Sequence, residues 1–201
     1  MKKAIFAIIV ISLMLVSGNS FASVIFQDNF NLEHGGTGIL NYNSFTNWGV
    51  TNGTVDLIGT NFYDLFPGNG LYVDLDGSTG NAGVMTTKNT ITLAPGSYVL
   101  SFYLGGNHRT NTPDSVVVKS NIGSYSETFT IGRNDPLTKF AKTFNITSAI
   151  NANLSFENLG GDNMGAILDK VELATATPEP ASMSLLVLGL AGLLKVRKKR
   201  V

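Results

Sequence analysis

The 201-residue sequence contains no cysteine. Disulfides, thiolate nucleophiles and cysteine-ligated metals are therefore excluded. Histidine is almost as scarce: His34 and His108 stand far apart, without the spacing of a zinc-binding helix. No Gly-x-Ser-x-Gly turn is present, so a Ser-His-Asp hydrolase has no nucleophile signature. The chain also lacks an internal repeat and a long amphipathic helical stretch. Its two long apolar runs both fall short of the roughly 20 residues that cross a bilayer.

The first of these runs follows Lys2 and Lys3 and extends over Ala4–Val16, before Ser20-Phe21-Ala22. A charged start, a short apolar stretch and small residues at the two positions read by signal peptidase make residues 1–22 a secretory signal peptide, cleaved after Ala22. Read instead as a membrane anchor, the run would span only ~20 Å of a hydrocarbon layer of about 30 Å.

The second run closes the chain. Residues 181–194 are uncharged and mostly apolar, enough for roughly 21 Å of helix. Residues 195–201 then carry Lys195, Arg197, Lys198, Lys199 and Arg200, a cluster that the positive-inside rule keeps cytoplasmic. A secretion signal at one end and a stop-transfer cluster at the other leave the middle outside. Pro178 and Pro180 flank Glu179 and hold the peptide extended ahead of the helix. An extended peptide beside a short membrane helix suits a membrane-embedded processing enzyme. Pro178-Glu179-Pro180, the short helix with Gly189 and Gly192, and the basic tail together resemble the PEP-CTERM sorting signal. The resemblance implies handling by an exosortase, a membrane-embedded cysteine transpeptidase-like enzyme of Gram-negative bacteria that make exopolysaccharide. It further implies a cut near Pro178–Pro180 and a transient stay in the inner membrane. The body then goes to the cell surface or extracellular matrix. The plainer alternative is a single-pass anchor.

Removing both ends exposes a charge imbalance. Of 14 basic and 14 acidic residues, the end segments 1–22 and 181–201 hold seven basic and no acidic ones, leaving residues 23–180 with a net charge of −7. Nucleic acid and anionic lipid repel such a body, while divalent cations are attracted. At about 155 residues, residues 23–173 and a short linker over 174–177 are large enough for one domain without disulfides.

That body reads as strands throughout: 24–30, 54–59, 70–77, 90–93, 97–106, 115–120, 125–131, 139–147, 153–160 and 166–173. In the strand at 97–106, Tyr98, Leu100, Phe102 and Leu104 face one way, and Ser97, Val99, Ser101 and Tyr103 the other. Pro67-Gly68, Asp76-Gly77 and Pro95-Gly96 punctuate the series, which argues for an all-β antiparallel sandwich. The order "FQDNF", "NGTVDLIG", "GLYVDLDGS", "APGSYVLSF" and "AILDKVEL" is similar to galactose-binding-like jelly rolls, the fold of many carbohydrate-binding modules.

Three site readings follow. Asp74 and Asp76 lie two apart, roughly 6.6 Å along a strand, a separation compatible with a glycosidase carboxylate pair or with a turn beginning at Asp76-Gly77. The jelly-roll resemblance implies a structural calcium at Asp28 and Asp169. Against it, regular alternation would send Lys170 to the opposite face, and Asp169 would serve equally well to satisfy a buried amide. Sugar recognition needs aromatic plates and planar hydrogen-bonding groups. Asn107, His108 and Arg109 supply the latter in the "LGGNHRTNTPDS" loop, with Trp48 and Tyr63 as the aromatics. A lone Trp in a sandwich is otherwise a core residue, and Arg109 has Asp114 as a possible partner. The expected function is thus an exported, non-enzymatic module binding extracellular polysaccharide. The rivals are a self-associating matrix protein and a surface glycoside hydrolase.

Overall fold

The structure, a computed structural model, describes residues 22–109 and 111–177. The signal peptide, Pro178-Glu179-Pro180, the apolar run 181–194 and the basic tail lie outside the described residues. Among the described residues no helix is long and apolar enough to cross a membrane.

Residues 23–176 form one compact unit of thirteen strands. In chain order these are β1 (Val24–Asp28), β2 (Trp48–Thr51), β3 (Asp56–Gly59), β4 (Leu71–Asp74), β5 (Val84–Thr87), β6 (Ile91–Leu93) and β7 (Gly96–Gly105). Then follow β8 (Asp114–Ser120), β9 (Tyr125–Ile131), β10 (Thr138–Ile146), β11 (Ile150–Ala152), β12 (Leu154–Asn158) and β13 (Ile167–Thr175). All ten expected strands form. The additional ones, β2, β5 and β11, are only three or four residues long. β13 continues through Ala174 and Thr175, two residues into the segment read as a linker.

Every strand ladder is antiparallel. The first sheet runs β10-β7-β13-β4-β3, with β1 also on β13; the second runs β2-β5-β12-β8-β9; β6 and β11 form a short pair. β13 changes neighbour along its length. Its start pairs with β4 through Ile167 and Leu168, and after a bulge Val171 to Ala174 pair with β1.

The sheets meet through their alternating apolar residues. Leu100, Phe102 and Leu104 of β7 are buried against Val116 and Val118 of β8 and Leu154 and Phe156 of β12, in one shared core. The Phe102 and Phe156 rings meet edge to face at 5.2 Å, and Trp48 meets Phe156 at 5.7 Å. Each such ring stabilises the fold by roughly 2–3 kcal/mol through burial. This is the antiparallel sandwich that the pattern of short strands predicts.

The outer face of the first sheet is treated in two ways. Toward one end, the 60–70 segment folds back over Ile58, Tyr72 and Ile167 and adds Phe62, Leu65 and Phe66 to a second, smaller core. The Tyr72 hydroxyl anchors that segment by donating to Asp64 Oδ1 at 2.9 Å and accepting the Phe66 N–H at 2.9 Å. Elsewhere on this face, side chains of β1, β7, β10 and β13 line an open groove.

Candidate functional site

The groove has a volume of about 600 Å³. Its floor follows from register. Gln27 of β1, Glu172 of β13 and Ser101 of β7 stand side by side across the sheet, and in the adjoining row Tyr103 faces Lys139 of β10. Because side chains alternate along a strand, the same pairing that sends Phe102 into the core turns Ser101 and Tyr103 outward. The wall comes from the chain after β1 and before β2, including Asn29, Leu32 and Thr46.

One irregularity completes this floor. Lys170 has φ +48°, the left-handed region, at the bulge between Asp169 and Glu172. The extra residue defeats the alternation that would separate the two charges. The Lys170 ammonium returns to within 3.5 Å of Asp169 Oδ2, donates to Asn69 Oδ1 at 3.0 Å, and lies 5.4 Å from the centre of the Tyr103 ring. Tyr103 is thus oriented by a cation, while Asp169 sits fully buried beneath it. Burial pushes the Asp169 carboxyl up to about 6 against the pull of Lys170, and the nearby Asp28 adds to the rise.

The calcium expectation meets a donor set already in use. Asp28 Oδ1 accepts the Phe30 N–H at 2.9 Å; its Oδ2 accepts the Asn47 amide at 3.0 Å and the Trp48 indole N–H at 2.9 Å. Asp169 Oδ1 takes the Lys170 N–H at 2.7 Å, and the Lys170 ammonium lies beside the other oxygen. An ion bridging these two carboxylates would have to displace the indole or compete with the ammonium. Asp28 is engaged at both oxygens, and Asp169 Oδ2, which takes no hydrogen bond among the described residues, has the Lys170 ammonium beside it, so the pair is a poor calcium cage.

The five residues expected to contact sugar separate into two groups. Trp48 is fully buried among Phe26, Phe30 and Phe156, so its indole is core and its N–H is spent on Asp28. Asn107 is likewise fully buried, donating to Asp114 Oδ2 and the Met164 carbonyl, both at 2.8 Å, and accepting the Arg109 N–H. Neither reaches a ligand, because the end of β7 needs Asn107 to tie its loop to β8 and to the β12–β13 connection. His108 is exposed, with its ring 4.8 Å from Phe66 and its backbone tied to Arg133. Tyr63 and Arg109 do come together, in a cleft of only about 140 Å³. Tyr63 is 64% exposed, but the Arg109 guanidinium pairs with Asp74, not with Asp114.

Asp74 and Asp76 are both buried and do not form a free carboxylate pair. Asp74 Oδ1 accepts the N–H groups of Asp76 at 3.1 Å and Gly165 at 2.8 Å, while Oδ2 takes Arg109. Burial raises the Asp74 carboxyl to about 8, opposed first by Arg109. The turn reading describes these residues better than the glycosidase one.

The groove differs from all these positions in one respect. Among the described residues, the side chains of Gln27, Glu172 and Lys139 enter no hydrogen bond or ion pair. Their groups stay available around a half-buried tyrosine. The outward row of the strand at 97–106, ending on Tyr103, carried the signal for this site in the sequence.

Residues 176–200 match the family model of the PEP-CTERM protein-sorting motif. The motif implies an exported chain, held transiently in the membrane and processed by an exosortase. No curated protein matches the chain. Among solved structures, the K3 cleaved adhesin domain of Lys-gingipain from Porphyromonas gingivalis is similar at 14% identity and a TM-score of 0.48, over 78% of this chain and 100% of that one. The CBM22-1 xylan-binding domain of Paenibacillus barcinonensis Xyn10C is similar at 10% identity and a TM-score of 0.44, over 81% and 100%. The CBM22-1–GH10 modules of Clostridium thermocellum xylanase 10B give 12% identity and a TM-score of 0.45 over 78% of this chain, which spans only 29% of the xylanase chain. At such identities and scores nothing about this chain's ligand follows from theirs.

Proposed function

We propose that residues 23–177 are a non-enzymatic carbohydrate-binding module, carried to the cell surface or extracellular matrix of a Gram-negative bacterium by an exosortase-processed tail. Its ligand is extracellular polysaccharide, held in the groove on the outer face of the first sheet. The observation that carries this reading is the uncommitted polar set of Gln27, Glu172 and Lys139 around Tyr103 in a groove of about 600 Å³. A carboxylate, an amide and an ammonium offer both acceptors and donors to sugar hydroxyls, and the ring supports an axial C–H patch. The volume lies within the range of about 300–1,000 Å³ usual for ligand sites. The net charge of −7 over residues 23–180 favours a neutral polymer over a polyanion.

The test is affinity electrophoresis of the mature protein against the producing organism's exopolysaccharide and a panel of neutral glycans. Tyr103→Ala should weaken the retained interaction at least tenfold, about 1.4 kcal/mol, and Glu172→Gln should weaken it by several-fold. Arg109→Ala, in the separate small cleft, should leave it unchanged. Retardation that ignores Tyr103→Ala would move the site elsewhere. Absence of any retardation, with concentration-dependent assembly instead, would favour a self-associating matrix protein.

A further inference from the structure

Four strand ends converge at one pole of the sandwich, away from the groove floor. The chain leaves β4 through Asp74 to Asp76, leaves β7 to reach Asn107, enters β8 at Asp114, and leaves β12 at Asn158. The connection from β12 to β13 closes over them. Leu159 N–H donates to the Ser115 carbonyl at 2.8 Å, Asp162 N–H to Asp76 Oδ2 at 3.1 Å, and Leu75 N–H to the Ala166 carbonyl at 3.1 Å.

Among the described residues, two buried side chains here are short of partners. Asp76 is fully buried, and its Oδ1 takes no hydrogen bond. Asn158 is 3% exposed, and neither its Oδ1 nor its Nδ2 makes a hydrogen bond of proper geometry. Both side chains lie against Gly160. A Cβ placed on Gly160 would stand 2.5 Å from Asn158 Nδ2 and 2.8 Å from Asp76 Oδ2, so the connection lies closely over both side chains. The third oxygen donor is the Asp114 carboxylate. The Asn158 amide beside it favours its charged form, while burial, Asp162 and Asp76 together push it up to about 6. Burial and Asp162 also raise Asp76. Leaving buried acceptors unpaired destabilises the fold, and buried like charges do so more strongly. The Arg109 guanidinium is taken by Asp74.

We propose that this pole holds one calcium ion, with Asp76 Oδ1, the Asn158 amide oxygen and the Asp114 carboxylate as its side-chain ligands. Backbone carbonyls of the 159–165 connection and water complete the shell. Among the described residues no three Asp, Glu, His or Cys side chains group as a metal site; the proposed donor set has two carboxylates and takes its third side-chain oxygen from an amide. Hard, mixed oxygen donors on a flexible glycine-containing loop suit calcium, which takes six to eight oxygens in adaptable geometry. They do not suit zinc or copper, which favour nitrogen and sulfur. Bound there, the ion would fasten the β12–β13 connection to β4 and β8.

The experiment uses the full chain, solubilised in mild detergent, stripped with a chelator and titrated with calcium chloride by calorimetry and thermal scanning. One site should appear. Calcium at about 100-fold above its Kd should raise Tm by at least 5 °C, reversibly on chelation, with magnesium giving much less. Asp76→Asn should weaken binding at least tenfold. Asn158→Asp, which adds a carboxylate to the same oxygen set, should tighten it. Asp28→Asn should leave it unchanged. No heat and no Tm shift in the unaltered chain would overturn the proposal and leave these oxygens to buried water. Calcium binding that Asp28→Asn abolishes, or that both Asp76→Asn and Asn158→Asp leave at the unaltered affinity, would overturn it equally. If Asp76→Asn does not fold, Asn158→Asp decides.

Discussion

The outer face of the first sheet carries two regions built on the same ladder with opposite outcomes. Under the 60–70 segment the outward residues are Ile58, Tyr72 and Ile167, all buried. On β1, β7, β10 and the second half of β13 they are Gln27, Ser101, Tyr103, Lys139 and Glu172, lining an open groove. Both regions have strands of good alternation. The difference lies in what covers them, and the residue types anticipate it: apolar where a segment folds back, polar where none does. A sheet face that water reaches on one side is normally polar, so the apolar half demands a cover and the polar half needs none. The open half nevertheless keeps a tyrosine held under a lysine ammonium. A merely solvated face has no use for that arrangement.

The comparison breaks most severely at Ile167. Truncating this fully buried side chain by Ile167→Ala removes the contact between β13 and the covering segment. The expected loss is about 3 kcal/mol, seen as a fall in Tm of roughly 6–12 °C. Tyr103→Ala, in the open half of the same face, should cost only about 1 kcal/mol of stability while removing polysaccharide retention. Equal losses of stability at the two positions would show that the groove is as much a core as the covered region.

These two regions were unequally legible in the sequence. The sandwich was readable because apolar alternation and Pro-Gly or Asp-Gly punctuation are local signals, and the strand at 97–106, which follows Pro95-Gly96, carries both. β2, β5 and β11 escaped because a strand of three or four residues has too few positions to alternate; pairing partners distant in sequence define them. The site residues were less legible. Trp48, Asn107 and Arg109 were attractive by residue type, but each is committed to a partner more than five residues away or in another strand: Asp28, Asp114 and Asp74. Such commitments are invisible to a reading of spacing. The groove was half visible, since Tyr103 stood in the outward row, but its neighbours Gln27, Lys139 and Glu172 join it only through register. The bulge that puts Lys170 on the same side as Asp169 had no local marker, for lysine is not a residue that favours a positive φ.

That bulge gives the subtler way to sharpen the comparison. Asp169 is the buried charge lying at the join between the covered and open regions, and it titrates near 6 because burial outweighs the attraction of Lys170. Its unfolded value is that of an ordinary aspartate, near 3.8. Between the two values the folded protein binds the proton and the unfolded chain does not. The stability that this group contributes is therefore full below about pH 4 and is lost as pH rises through about 6. The shift corresponds to a change on the order of 2–3 kcal/mol across that window. Asp169→Asn keeps the shape and removes the proton, so urea unfolding of the variant from pH 4 to pH 7 should show a shallower decline than the parent, with the two curves converging toward pH 4. Parallel curves would mean that the Lys170 ammonium neutralises Asp169 completely. In that case the bulge brings a true ion pair, rather than a strained acid, to the floor of the groove.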